Sequence, residues 1–239
     1  RIVVFQRGIA FHSGASPAGQ PHSKDNTVSE TVSIILLQYL CLLFSLSVHE
    51  GAHAAMANYW GDPTARLMGR MSLNPIKHAD IMGTVILPLF AMITGWRFMF
   101  GWAKPVPYNP RNLRDRKKGP VFIALAGPGS NLLVVFAAVA VLRGLALLPE
   151  SDTATLFMRA LFYLVMINSL LLLFNLIPIP PLDGHHVVEF FLPYEWKKKF
   201  EQIGPYSIFI LFFLIFYLNI LRVPMAFVLR GTLTLAFYG

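Results

Sequence analysis

The sequence predicts an all-α polytopic membrane protein, and three observations lead there. Only 13% of its 239 residues are charged, 55% are hydrophobic, and the mean hydropathy is +0.57; a soluble domain carries about 25% charged residues. Thr31–Val48, Gly119–Leu142, Ala160–Leu182 and Gln202–Leu221 contain no Asp, Glu, Lys or Arg, and each reaches the roughly 17–25 residues of a spanning helix. The net charge is +8, but the basic residues cluster in loops flanking the apolar stretches. That is the positive-inside pattern of a membrane protein, and it excludes nucleic acid as the natural partner.

Residues 1–30 are rich in Ser, Gly, Pro and His, which predicts a disordered tail. It lacks the apolar core and cleavage site of a signal peptide. Residues 31–239 read as one domain. The first span covers about 31–59. Thr64–Leu73, "TARLMGRMSL", alternates apolar and polar residues, and period two argues for a strand, with a solvated amphipathic loop as the alternative. Lys104–Pro110 is a second candidate extended piece, so a small β element is expected between the first two long helices. Residues 81–100 are shorter and broken by Gly83, Pro88 and Gly95, which fits a re-entrant or interfacial segment. Spans follow at about 119–142, 160–182 and 202–221, and residues 224–237 form a short further apolar segment. Cys41 is the only cysteine, so there is no disulfide framework and no thiolate-built metal site.

The chemistry concentrates in "LLFSLSVHEGAHAAMANYW", Leu42–Trp60. Residues four apart on an α-helix lie about 40° apart around its axis, so His49 and His53 stack on one face. Two neutral imidazoles there can hold a zinc ion, with Glu50 in reach of a water as general base. Ionisable groups inside a bilayer cost several kcal/mol and mark function; a polar patch joining neighbouring helices is the bland alternative. A third ligand is needed. Asp62, His78 and Asp80 come next but lie in a polar loop without a motif. "FNLIPIPPLDGHHVVEF" is better: Pro178, Pro180 and Pro181 stop the helix, leaving irregular backbone of the kind tolerated at membrane depth only inside protein or along a cavity. Asp183 follows at its mouth; before Gly184 its bland reading is a helix-end or turn aspartate, a reading that the pairing with His49, Glu50 and His53 reverses.

With these motifs in view, the chain resembles the site-2 protease family of intramembrane zinc metalloproteases. "HEGAH" and "NLIPIPPLDG" match its two outer signatures, and "AGPGSN", Ala126–Asn131, resembles an intermediate motif. The resemblance covers about residues 31–190. It implies a three-helix catalytic core with one or two C-terminal helices, a small sheet beside the active site, and one Zn²⁺ per chain held by His49, His53 and Asp183. Glu50 would be the catalytic base. Asn175 would support the substrate or the developing oxyanion, while Asn131 is explained equally well by helix packing beside Gly127 and Gly129. The family pattern gives His185 and His186 no role, and they are expected as loop or rim histidines.

Charge bias offers a separate test. Arg66, Arg70 and Lys77 in one loop, and Lys104, Arg111, Arg114, Arg116, Lys117 and Lys118 in the next, predict that both loops are cytoplasmic. Residues 81–100 then cannot cross between them. The 119–142 span runs outward and 160–182 returns, so Asp183 arrives on the same side as His49 and His53. The active site is expected near the cytoplasmic face and the N-terminal tail on the other side.

The expected activity is hydrolysis of peptide bonds in or near transmembrane segments of membrane-protein substrates, by a zinc-activated water with Glu50 as base. No segment reads as a regulatory PDZ or nucleotide-sensing module, so any regulator is expected to be a separate protein. The rival is a membrane zinc transporter. A carrier would want ligands along several spans, often in repeated halves, and neither is evident.

Overall fold

A backbone in lipid must satisfy its own N–H and C=O groups, which favours long uninterrupted helices, and these dominate the computed structural model. It describes residues 24–94, 101–149 and 151–237. Helix α1 is Lys24–Tyr59, 36 residues; α2 (Thr64–Leu67) and α3 (Pro75–His78) are single turns. A π-helical segment, Ile81–Ile86, continues into α4 (Leu87–Thr94). Helices α5 (Lys118–Leu145) and α6 (Asp152–Asn175) have 28 and 24 residues. Beyond them come α7 (Gly184–Phe191), α8 (Tyr194–Glu201), α9 (Ser207–Phe212) and α10 (Arg222–Phe237). Val32–Tyr59, α5, α6 and the composite stretch Tyr194–Tyr217 are long and apolar enough to cross a membrane, and the protein is an integral membrane protein.

The chain divides into two compact units, residues 1–36 and 37–239. Described residues of the first are the opening turns of α1, so residues 24–30, expected within the tail, are helical; residues 1–23 lie outside the described residues. All other elements belong to the second unit.

In that unit α5 and α6 form an antiparallel pair. Helix α6 starts earlier than the charge-free stretch suggested, because Ser151 Oγ accepts from Ala154 N and Asp152 occupies the first turn. It also ends earlier, at Asn175, in advance of Pro178, since the residue before a proline is driven out of helical conformation. The α5 start is held by Asp115, whose Oδ1 accepts from the backbone amides of Lys117 and Lys118 at 2.8 and 2.9 Å. Val135, Ala138, Val139 and Leu142 of α5, Val165 of α6 and Ala236 of α10 make one buried cluster. Near the opposite end of α10, Leu221 and Ile220 pack with Ile177, Leu182 and Leu211. The segment expected at 224–237 is thus part of a continuous helix that starts beside the proline-rich turn and ends against the last turns of α5.

The expected β element is absent: no described residue is in a strand. Thr64–Leu67 winds into α2 because local bonds take its donors, Leu67 N to Pro63 O at 2.9 Å, Met68 N to Thr64 O at 3.1 Å and Arg70 N to Ala65 O at 2.8 Å. Lys104–Asn109 has no regular secondary structure. What orders this region instead is a polar lattice. Asp62, fully buried, accepts from Thr64 N and Oγ1, Asn109 N and Asn112 Nδ2 at 2.6–3.2 Å. Arg70 donates to the carbonyls of Lys77, Lys104 and Pro105. Lys104 N also donates to His78 O at 2.8 Å, and Thr84 Oγ1 to Trp102 O at 3.3 Å. The chain therefore comes back beside its own departure point after passing through Ile81–Thr94.

Candidate metal centre

His49 and His53 lie ten and six residues before the end of α1 at Tyr59, on the face turned to α5 and to the turn after α6. Both are nearly inaccessible, at 4% and 8% exposure. Their Nε2 atoms stand 3.0 Å apart. Asp183 Oδ2 meets both, at 3.2 Å from His49 Nε2 and 3.4 Å from His53 Nε2. Asp183 occupies the N-cap position of α7, yet its side chain makes no capping hydrogen bond. A turn aspartate of the ordinary kind would satisfy itself locally; this one is aimed across the protein.

The protonation of the imidazoles is set from behind. His53 Nδ1 lies 2.6 Å from Ile123 O. A carbonyl only accepts, so Nδ1 carries the proton and Nε2 a lone pair. His49 Nδ1 lies 2.6 Å from Asn131 Oδ1. That amide is oriented in turn, because Asn131 Nδ2 donates to Asn168 Oδ1 at 2.8 Å. Asn168 Nδ2 donates to Ser45 Oγ and to Leu164 O, each at 2.8 Å, and Ser45 Oγ donates to Cys41 O at 2.7 Å. Ser45, Asn131 and Asn168 are all fully buried. His49 Nδ1 is therefore the donor as well, and its Nε2 also presents a lone pair.

Three lone pairs, two imidazole and one carboxylate, thus converge within 3.0–3.4 Å, and the buried Oδ2 of Asp183 has no hydrogen-bond donor. Such an arrangement is repulsive by itself and becomes favourable around a cation. Nitrogen and carboxylate donors with a fixed outer shell of Nδ1–H bonds suit Zn²⁺, so the residues fit a zinc ion. Gly127 makes the approach possible: a Cβ there would overlap the rings of His49 and His53. Gly184 does the same for the carboxylate, since a Cβ would strike the carbonyls of Leu176 and Ile177.

The structure thus brings together His49, His53 and Asp183. Glu50 follows His49 in α1, half-buried. Asn175 is the last residue of α6, and its Nδ2 donates to Leu171 O at 3.0 Å. Asn131 is more than a packing residue, since it holds His49; of the two glycines beside it, only Gly127 is crowded, while Gly129 has open space where its Cβ would be. His185 and His186 lie in α7, not in a loop. Sequence reasoning missed Asn168 and Ser45; the available signal was an amide inside the charge-free run 160–182.

Comparison with known proteins adds an independent line. Residues 143–218 match the family model described as Peptidase family M50. A Bacillus subtilis (strain 168) protein named "Putative zinc metalloprotease YwhC" is 36% identical over 188 residues, 76% of this chain and 81% of the relative. Two mycobacterial proteins are named "Putative zinc metalloprotease Rip2". The one from Mycolicibacterium smegmatis is 28% identical, over 66% of this chain and 58% of its own length. The one from Mycobacterium tuberculosis (strain H37Rv) is 30% identical, over 72% and 62%. No solved structure matches.

Proposed function

The chain belongs to peptidase family M50, and from that membership we propose that it is an intramembrane zinc metalloendopeptidase, cutting peptide bonds in or near transmembrane segments of other membrane proteins. The observation that carries this reading is the meeting of Asp183 with His49 and His53, the two imidazoles standing beside a glutamate on a helix long enough to cross a bilayer.

His49, His53 and Asp183 would hold one Zn²⁺ per chain. When bound, zinc supplies Lewis-acid activation of water and of a carbonyl. Glu50 accepts a proton from the attacking water as its oxygen bonds to the scissile carbon, then delivers that proton to the nitrogen as the C–N bond breaks. Asn175 has one amide N–H engaged with Leu171 O; its second N–H is free for the substrate carbonyl as negative charge develops there. A helical substrate hides its carbonyls in hydrogen bonds to residues four positions later, so it must unwind locally before Glu50 can act, and helix-breaking residues near the cut favour that.

The site is assigned to the cytoplasmic side, where water reaches it, with the N-terminus on the opposite side. Support comes from the basic loops around Arg66–Lys77 and Lys104–Lys118 and from the Lys104–His78 backbone bond, which joins the end of one loop to the start of the other. The partners are a membrane protein with a transmembrane helix and the lipid bilayer.

The test is purified protein in detergent with a model transmembrane substrate, wild type against Glu50→Gln. Loss of cleavage with zinc retained is the expected result. Cleavage by the variant at the wild-type rate would overturn the assignment, as would zinc flux into vesicles that persists in Glu50→Gln, the behaviour of a carrier.

A further inference from the structure

A second group of metal-ligating side chains stands directly after Asp183, and the proposed hydrolysis makes no use of it. In α7, His185, His186 and Glu189 bring two imidazoles and a carboxylate to one place, with donor atoms all within 4.8 Å of one another. Their spacing explains why: residues three and four apart share a helix face, so both histidines look along α7 towards Glu189. His185 Nδ1 lies 2.5 Å from Leu182 O, which fixes the proton on Nδ1. The lone pair of Nε2 is left facing Glu189 Oε1 at 3.9 Å. His186 Nδ1 lies 3.5 Å from the other carboxylate oxygen, Oε2. The two rings are 3.8 Å apart between centroids. All three side chains are largely sheltered, at 13%, 28% and 10% exposure.

We propose that His185, His186 and Glu189 form a second divalent-cation site, distinct from the His49–His53–Asp183 centre and sharing no residue with it. Two nitrogens and a carboxylate select a borderline cation such as Zn²⁺, Co²⁺ or Ni²⁺ over Mg²⁺ or Ca²⁺, which prefer oxygen. Three protein ligands leave positions open to water, so the ion exchanges readily. Lys197 Nζ stands 3.4 Å from Glu189 Oε2 and competes for the same oxygen. Cation binding therefore displaces that ammonium, linking the second site to the first turn of α8.

Full-length protein in detergent is stripped with a chelator, dialysed to equilibrium against Zn²⁺ in excess Mg²⁺, and its metal content per chain measured by atomic spectroscopy. The expected result is two ions for wild type and one each for His186→Ala and Glu189→Gln. His49→Ala should also retain one ion, so failure of the first centre and failure of this one are told apart. Lys197→Ala should bind the second ion about 2–5-fold more tightly, the worth of a removed ion pair; a side chain acting only as a structural tie would give no such gain. A single wild-type ion that is lost in His49→Ala and kept in His186→Ala, or two ions retained in both His186→Ala and Glu189→Gln, would overturn the proposal.

Discussion

Asn131 Oδ1 lies 2.6 Å from His49 Nδ1, and this one contact decides which nitrogen of His49 faces Asp183. Remove the acceptor and the imidazole is free to present an N–H where a lone pair is needed. Asn131→Leu is expected to weaken zinc retention roughly 10–100-fold, the usual effect of losing an outer-shell partner. Asn168→Leu, one bond further back, should weaken it less. Chelator competition on the purified variants measures both; equal affinity in Asn131→Leu and wild type would refute the role given to the amide.

Gly127 and Gly129 make an internal control. A methyl group at Gly127 would overlap both imidazoles, while one at Gly129 meets nothing within 4 Å. Gly127→Ala should therefore abolish cleavage and zinc binding together. Gly129→Ala should keep both, and its stability should be unchanged or slightly higher, since alanine is favoured over glycine in a helix by about 1 kcal/mol. Side-by-side metal analysis and substrate cleavage decide the matter.

Asp62 gives a prediction in pH. Burial acts to raise its pKa, but hydrogen bonds from Thr64, Asn112 and the Asn109 amide outweigh it and hold the carboxyl below the usual range. A folded-state pKa below the unfolded one means a stabilising contribution that is complete above about pH 4, the unfolded carboxylate value, and lost as pH falls through the folded value. Asp62→Asn should cost about 1–3 kcal/mol at neutral pH, because its amide turns an N–H towards existing donors. The gap between variant and wild type should close on acidification below about pH 4. A gap in thermal unfolding that stays constant with pH would count against this account.

The meeting of His49, His53 and Asp183 was legible from sequence because lipid makes charge conspicuous: these three and Glu50 stand out against runs with almost no ionisable groups. The polar network behind them was not. Asn168 and Ser45 carry no charge, fit inside an apolar helix, and show their purpose only when α1, α5 and α6 are packed. Thr64–Leu73 misled for a related reason. Ten alternating residues look like a strand, yet backbone bonds within Pro63–Arg70 and the Asp62 and Arg70 contacts satisfy the segment without a partner strand. Residues 224–237 read as a short segment of their own, whereas Pro224 sits in the first turn of α10, where the missing N–H is no loss.

The bonds from His49 through Asn131 and Asn168 to Ser45 leave α1, cross α5 and α6, and return to α1. They close a ring through all three helices. Sliding any one of them by a single residue, about 1.5 Å of rise, would break a buried link and release the imidazole. These helices are locked in register like meshed gears. One set of buried bonds therefore both fixes the relative height of the three helices and holds the imidazole that faces Asp183.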